Sequence, residues 1–137
     1  MAWACARQSY RDYPLLAGIA LAATTKLRHA TAQELSSLAW AYSKVLFMNR
    51  PLLDAIQAAA AARTSEFHAQ TMANTVWALA KMLLENPHFM AVSSARSLEL
   101  VEEGAFNAQD LSNTAWAFAA LRIVDLPLMD AIATRPI

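Results

Sequence analysis

The sequence contains little glycine, little proline and one cysteine, and it has no excess of either charge. Its 137 residues include 2 glycines and 5 prolines, too few for the many tight turns of a β-rich protein. The single cysteine, Cys5, excludes an intrachain disulfide and a cysteine metal site. The 11 basic and 11 acidic residues balance, whereas a domain that binds nucleic acid nonspecifically is usually basic.

Long apolar runs are also missing, since none approaches the roughly 18 residues that a membrane-spanning helix needs. We therefore expect no membrane association. The chain is nevertheless 57% hydrophobic, which is too apolar for a disordered protein. Alanine is abundant, and this composition favours helices.

Residue types that carry chemistry are scattered rather than clustered. The three histidines, His29, His68 and His88, have no helical i,i+4 spacing and no cysteine partner, so the sequence predicts no metal site. Two glycines, Gly18 and Gly104, cannot build a glycine-rich phosphate loop. We accordingly predict no enzymatic activity, no cofactor and no small-molecule ligand.

Four tryptophans mark an internal repeat. Trp3, Trp40, Trp77 and Trp116 are separated by 37, 37 and 39 residues. A proline follows each tryptophan after 11, 11, 10 and 11 residues, at positions 14, 51, 87 and 127. Because tryptophan and proline recur together four times at nearly constant spacing, the sequence indicates tandem repeats of about 37 residues.

Each repeat is predicted to form two helices. Thr31 and Asn107 are suited to cap the tryptophan-bearing helix, and Thr31 with Glu34 forms a capping-box pattern. The prolines suit the first turn of the second helix, where a missing N–H costs little. Gly104 is expected to end the longer second helix of the third repeat. The predicted fold is therefore all-α, an α-solenoid of tandem helical hairpins.

The repeat boundaries place a partial repeat at residues 1–30, full repeats at 31–67 and 68–106, and a partial repeat at 107–137. Trp3 falls in the middle of a helix whose first half is missing, so we expect the chain to be a fragment of a longer array. The stretch from Met1 to Arg11 lacks acidic residues but begins inside a repeat. For that reason we do not interpret it as a targeting segment.

A helical wheel of the tryptophan-bearing helices leaves only a narrow polar arc. The rest of each helix is a large apolar face, which predicts that neighbouring helices cover it on several sides. This face consists of Leu35, Ala39, Tyr42, Ser43 and Leu46 in one repeat and of Met72, Val76, Leu79, Ala80 and Leu83 in the next. The polar arcs are predicted to line up as one stripe, formed by Gln33, Ser37, Ala41 and Lys44, by Gln70, Asn74, Ala78 and Lys81, and by Gln109, Asn113, Ala117 and Ala120.

The segments Gln70 to Lys81 and Gln109 to Ala120, with a weaker copy at Gln33 to Lys44, follow the pattern Gln-x-Leu-Ser/Ala-Asn-Thr-x-Trp-Ala-x-Ala. With a proline at the head of the next helix, this pattern resembles the octotricopeptide repeats and the related heptatricopeptide repeats of RAP-domain and FAST-kinase-like proteins. The resemblance implies an α-solenoid that binds single-stranded organelle RNA in a mitochondrion or chloroplast. It also implies a role in RNA maturation, stability or translation.

Under this resemblance, Ser37, Asn74 and Asn113 would face bases, while Lys44, Lys81 and Arg7 would contact phosphates. In the alternative interpretation, the asparagines bond to backbone across repeats and the lysines are only solvated. The tryptophans border the apolar face, which favours packing between repeats over stacking on bases. A protein-binding scaffold is the rival function, because helical-hairpin solenoids also bind proteins and the net charge is zero.

Overall fold

The computed structural model describes residues 13–45, 49–82, 86–121 and 126–134. Within these ranges the chain is all-α, with no strand, as predicted. The helices are α1 (Tyr13–Thr24), α2 (Ala32–Val45), α3 (Arg50–Ala61), α4 (Ala69–Lys81), α5 (Pro87–Glu102), α6 (Ala108–Ala120) and α7 (Leu126–Thr134). Two short 3-10 helices, η1 (Leu27–His29) and η2 (Thr64–Glu66), follow α1 and α3. Trp3, Cys5 and Arg7 lie outside the described residues.

The predicted caps of α2 and α6 are confirmed. The Thr31 hydroxyl accepts a hydrogen bond from the Glu34 backbone N–H at 3.1 Å, and a Glu34 carboxylate oxygen accepts from the Thr31 N–H at 2.9 Å. Asn107 and Asp110 exchange the equivalent pair at 2.8 and 3.1 Å. Each cap satisfies backbone donors that the first turn of a helix leaves unpaired.

The second helix of each unit carries its proline as the first or second residue, consistent with the prediction of a first-turn proline. Pro51 and Pro87 occupy the first turns of α3 and α5. The asparagine before each helix, Asn49 or Asn86, accepts a hydrogen bond from a first-turn N–H at 3.0 or 2.9 Å. Proline costs little here, because its missing N–H would have no partner within the helix.

Gly104 ends α5, as expected from the sequence. Its φ of 73° is left-handed, a conformation that glycine adopts without the penalty a Cβ imposes. The Ala105 N–H then donates to the Leu100 carbonyl at 2.9 Å, and the Gly104 N–H to the Val101 carbonyl at 3.0 Å. These bonds close the end of a helix that is longer than α3.

The helices lie in two layers. The even-numbered helices α2, α4 and α6 pack side by side, and so do the odd-numbered helices α1, α3, α5 and α7. Each even helix also contacts the odd helix that follows it in the chain. The contacts between helices are most extensive within the even layer, where neighbouring tryptophan-bearing helices touch directly.

The core lies between the layers and between neighbours in each layer. The predicted apolar faces of α2 and α4 are buried, including Leu35, Ala39, Met72 and Val76. Tyr42 is also fully buried, and its hydroxyl donates a 2.6 Å hydrogen bond to the Leu16 carbonyl of α1. Leu46 and Leu83 lie outside the described residues. The structure thus confirms Tyr42 as a packing residue.

One sequence prediction is wrong. The alanines placed in the polar arc, Ala41, Ala78 and Ala117, are buried rather than exposed. The even helices pack closely, and a methyl group on such a helix is covered by its longer neighbours. The polar stripe is therefore interrupted on every even helix, and its exposed parts are short patches.

Candidate nucleic-acid interface

Three glutamines stand at the start of the candidate surface, one on each even helix. Gln33, Gln70 and Gln109 are exposed in the first turns of α2, α4 and α6. Four residues further along lie Ser37, Asn74 and Asn113, all half-buried. An i,i+4 spacing puts each pair on the same helix face. The surface therefore offers hydroxyl and amide groups at regular intervals.

The three pairs differ in whether their two side chains are hydrogen-bonded to each other. The Gln33 amide donates to the Ser37 hydroxyl at 3.3 Å, and the Gln109 amide donates to the Asn113 side-chain oxygen at 2.9 Å. Among the described residues, the Asn74 amide has no hydrogen-bond partner. Asn74 thus keeps its full capacity to donate and accept hydrogen bonds.

The structure does not show the asparagine ladder considered from the sequence. The hydrogen bond between a side chain of α2 and the backbone of α4 comes from Ser36, whose hydroxyl donates to the Thr71 carbonyl at 3.4 Å. Sequence reasoning missed Ser36, since no local spacing signals a contact across 35 residues. It also missed the glutamine pairs, although their i,i+4 spacing is readable.

The three tryptophans that the structure describes lie where neighbouring even helices meet. The Trp77 and Trp116 ring centroids are 6.1 Å apart with a tilt of 41°, a contact between α4 and α6. This tilted geometry is a favourable one for aromatic pairs. Trp40 and Trp77 are half-buried, and both pack against the core. The predicted role of tryptophan in packing between repeats is therefore seen at Trp77.

The tryptophans are also partly accessible. Trp116 is 47% exposed, enough to present a ring to another molecule. Trp40 forms one side of a groove between α2 and α4, together with Gln33, Ser36, Ser37 and Asn74. We call this the α2–α4 groove. It brings two of the predicted base-facing residues, Ser37 and Asn74, to the same place.

Two lysines lie near the C-terminal ends of even helices. Lys44 on α2 is exposed, whereas Lys81 on α4 is half-buried, with its ammonium nitrogen 5.1 Å from the centre of the Trp77 ring. That distance is within the range of a cation–π interaction. We call the region formed by Trp77, Lys81, Asn113 and Trp116 the α4–α6 surface. Arg7, the third predicted phosphate contact, lies outside the described residues.

Metal-binding groups and membrane-spanning helices are two other features by which a structure can indicate function. In the part of the chain that the structure describes, no three histidine, cysteine or acidic side chains come together as a metal-binding group. Among those residues there is also no helix long and apolar enough to cross a bilayer.

Comparison with known proteins gives one informative result. A family model described as RNA-editing substrate-binding complex 6 protein matches residues 1–137, the whole chain. No curated protein matches the chain significantly. The matching family is not the octotricopeptide or heptatricopeptide family that the motif resembles, but its description is likewise connected with RNA.

Proposed function

The chain belongs to the RNA-editing substrate-binding complex 6 family, and from this premise we propose that it is a non-enzymatic RNA-binding module. In this proposal the two helix layers belong to an α-solenoid with repeats of about 37 residues. The family description names RNA editing, and the repeat motif resembles organelle RNA-binding repeats. Both point to RNA as the ligand.

The observation that carries the proposal is the chemistry of the even layer. Its surface combines exposed amides, partly exposed tryptophans and the ammonium groups of Lys44 and Lys81. Amide and hydroxyl groups hydrogen-bond base edges, aromatic rings stack on unpaired bases, and lysines contact phosphates. Single-stranded RNA offers all three partners at once.

The cellular site is part of the same proposal. The motif resemblance implies a mitochondrion or a chloroplast, and the RNA-editing complexes of kinetoplastids are typically mitochondrial. We therefore favour the mitochondrion. Imaging of the full-length gene product, tagged at its C-terminus, tests this directly, and a location outside both organelles would contradict it.

Salt-dependent binding of single-stranded RNA provides the test of function. Each lysine–phosphate contact displaces counterions, so the logarithm of affinity should fall by about 0.7 per contact for each tenfold rise in salt. The double variant Lys44→Glu/Lys81→Glu should bind RNA at least about tenfold more weakly and reduce the salt slope by about 1.4.

A matched control separates local contacts from net charge. Lys26 and Arg28 are exposed and lie between α1 and α2, near the odd layer. The double variant Lys26→Glu/Arg28→Glu changes net charge by the same amount and should retain most of the affinity. Equal losses in both double variants would argue against an RNA surface on the even layer. A wild-type chain without salt-sensitive RNA binding would remove the proposal altogether.

A second function, a protein-binding scaffold, is favoured by a different surface. A shallow groove between α1 and α3 is floored by alanines, including Ala55 and Ala59, and bordered by Arg28 and Arg63. On α1, the apolar side chain of Leu21 is 76% exposed. The family description also names a complex.

The two functions predict opposite results for the same variants. A scaffold that uses the odd layer should lose association with other proteins of the complex in Lys26→Glu/Arg28→Glu and keep it in Lys44→Glu/Lys81→Glu. Co-purification of the complex with each variant measures this. If both variants keep every protein partner, the odd layer is not the docking surface.

A further inference from the structure

The α2–α4 groove is an open space on the surface of the even layer. It encloses about 180 Å³ and is formed by two neighbouring helices. Gln33, Ser37 and Trp40 come from α2, and Asn74 comes from α4. Ser36 also lines the groove, but its hydroxyl is directed to the Thr71 backbone. One helix therefore supplies an aromatic wall and the other an amide.

The hydrogen-bonding groups of the groove have unused capacity. Among the described residues the Asn74 amide has no partner, so both of its N–H donors and its carbonyl oxygen can bind a ligand. The Ser37 hydroxyl accepts from Gln33, which leaves its own proton to donate. A ligand in the groove can therefore form hydrogen bonds with Asn74 and Ser37 without breaking a hydrogen bond that either side chain donates within the protein.

The chemistry of the groove selects a planar, neutral and polar ligand. An indole ring stacks on flat aromatic faces. Adjacent amide donors and acceptors match the edges of nucleobases, as they do when asparagine and glutamine read adenine. The four side chains that offer these contacts, Gln33, Ser37, Trp40 and Asn74, are all uncharged. A phosphate therefore has no charged partner inside the groove, while a base has several polar ones.

We propose that the α2–α4 groove binds one unpaired nucleobase, stacked on Trp40 and hydrogen-bonded by Asn74 and Ser37. This inference rests on the proposed RNA-binding function and adds the place where a base is held. Lys44, one helical turn beyond Trp40 on α2, is exposed and positioned for a phosphate next to that base. Base and phosphate contacts then come from the same helix.

The α4–α6 surface does not provide an equivalent site. The Trp77 ring is approached by the Lys81 ammonium at 5.1 Å and by the Trp116 ring at 6.1 Å. The Asn113 side-chain oxygen already accepts from Gln109. A base would have to displace these contacts before it could bind. The chain thus carries one preformed base site in its described part, not a series of equal ones.

The experiment measures affinity of the full chain for oligouridylate and oligoadenylate of about 12 nucleotides, within the range that one binding fold covers. Trp40→Leu removes the stacking ring but keeps apolar bulk, and Asn74→Ala removes the amide. Each should weaken binding of the preferred oligomer by about tenfold or more. The equivalent variants of the α4–α6 surface, Trp116→Leu and Asn113→Ala, should weaken binding clearly less than the groove variants, because these side chains already contact Trp77 and Gln109.

A spectroscopic measurement accompanies the affinities. Trp40→Phe keeps an aromatic face, so it should bind nearly as tightly as the wild type. RNA should then quench less of the tryptophan emission, because the stacked indole has been removed. If Trp40→Leu fails to fold, as judged by its circular dichroism, the affinity of Asn74→Ala and the RNA-induced quenching of Trp40→Phe test the base site.

The outcomes separate this inference from the function on which it rests. If the wild type binds RNA in a salt-sensitive way, but the groove variants bind as well as their matched controls, the base site is wrong and the function stands. The same conclusion follows if Trp40→Phe leaves RNA-induced quenching unchanged. If the wild type binds neither oligomer, both proposals are overturned.

Discussion

The α2–α4 groove and the α4–α6 surface are built from the same repeat motif but differ in their contacts. In the groove, Trp40 borders open space and Asn74 lacks a hydrogen-bond partner among the described residues. On the α4–α6 surface, Trp77 contacts both Trp116 and Lys81, and Asn113 is bonded to Gln109. Repetition of a helix therefore does not guarantee repetition of a binding site.

A few side chains also vary within the motif. The position of Ser36 in α2 is occupied by Ala73 in α4. Ser36 links α2 to the Thr71 carbonyl, and an alanine cannot form this bond. Ser37 stands where α4 and α6 carry the larger Asn74 and Asn113. The two regions therefore differ in side chains as well as in contacts.

The largest expected effect comes from a residue that supports both regions. Ala78 is fully buried on α4, the helix shared by the groove and the α4–α6 surface. Ala78→Leu adds bulk to a close-packed site and should lower the free energy of unfolding by about 1–3 kcal/mol. Thermal denaturation measures this.

Ala120→Leu is the control, because Ala120 is only half-buried at the end of α6. It should change stability by less than about 0.5 kcal/mol. Equal destabilisation by the two leucines would mean that the even helices do not pack as closely as the burial of Ala78 indicates.

An intermediate effect should follow from removal of the Lys81 charge. Lys81→Met keeps the length of the side chain but removes the cation that lies over the Trp77 ring. The variant should lose about 0.5–1 kcal/mol of stability, and Trp77 should become more accessible to acrylamide, a fluorescence quencher. The Trp77 ring would then have one contact fewer, so the α4–α6 surface would resemble the α2–α4 groove more closely.

Lys44→Met supplies the comparison on the other helix. Lys44 is exposed, so neither stability nor quenching should change measurably. If the two variants behave alike in both measurements, the contact between Lys81 and Trp77 does not distinguish the α4–α6 surface in solution.

The smallest expected effect concerns pH and the start of α2, next to Gln33 in the groove. The Thr31 backbone N–H, and then the Thr31 side chain, hold the pKa of Glu34 below its ordinary value of 4.5. Because this pKa is lower in the folded state, the contribution of the Glu34 carboxylate to stability is fully present above pH 4.5. The contribution is lost as the pH falls through the folded-state pKa. Glu34 is exposed, so the effect is confined to the first turn.

Amide exchange at Thr31 measures the effect. Protection should fall in acid below pH 4.5 in the wild type. Glu34→Gln should remove this pH dependence, because glutamine keeps a hydrogen-bond acceptor but does not titrate in this range. Wild-type protection that stays constant through the acid range would show that the carboxylate does not hold this cap.

Features that depend on a few neighbouring residues could be predicted from the sequence. The capping boxes of Thr31 and Asn107, the prolines in first turns and the glycine after α5 are local, and the structure has all of them. Local rules suffice because these hydrogen bonds join residues only three to five positions apart.

Features that depend on packing between helices could not be predicted. The helical wheel assigned Ala41 and Ala78 to the polar arc, but both are buried in the structure. A wheel describes one helix and does not show how closely a neighbouring helix approaches it. The same limit applies to the candidate site. Ser37 and Asn74 were found by their positions in the repeat, whereas their meeting with Trp40 in one groove depends on the spacing of α2 and α4.

The two-layer arrangement has a consequence for how the chain reaches its native state. The principal contacts join helices that are adjacent in the chain or separated by one helix. No distant segments must first find each other, so the entropy lost in closing large loops is small. In the solenoid that we propose, folding can begin at any pair of neighbouring helices and extend helix by helix, at a rate typical of proteins with local contacts.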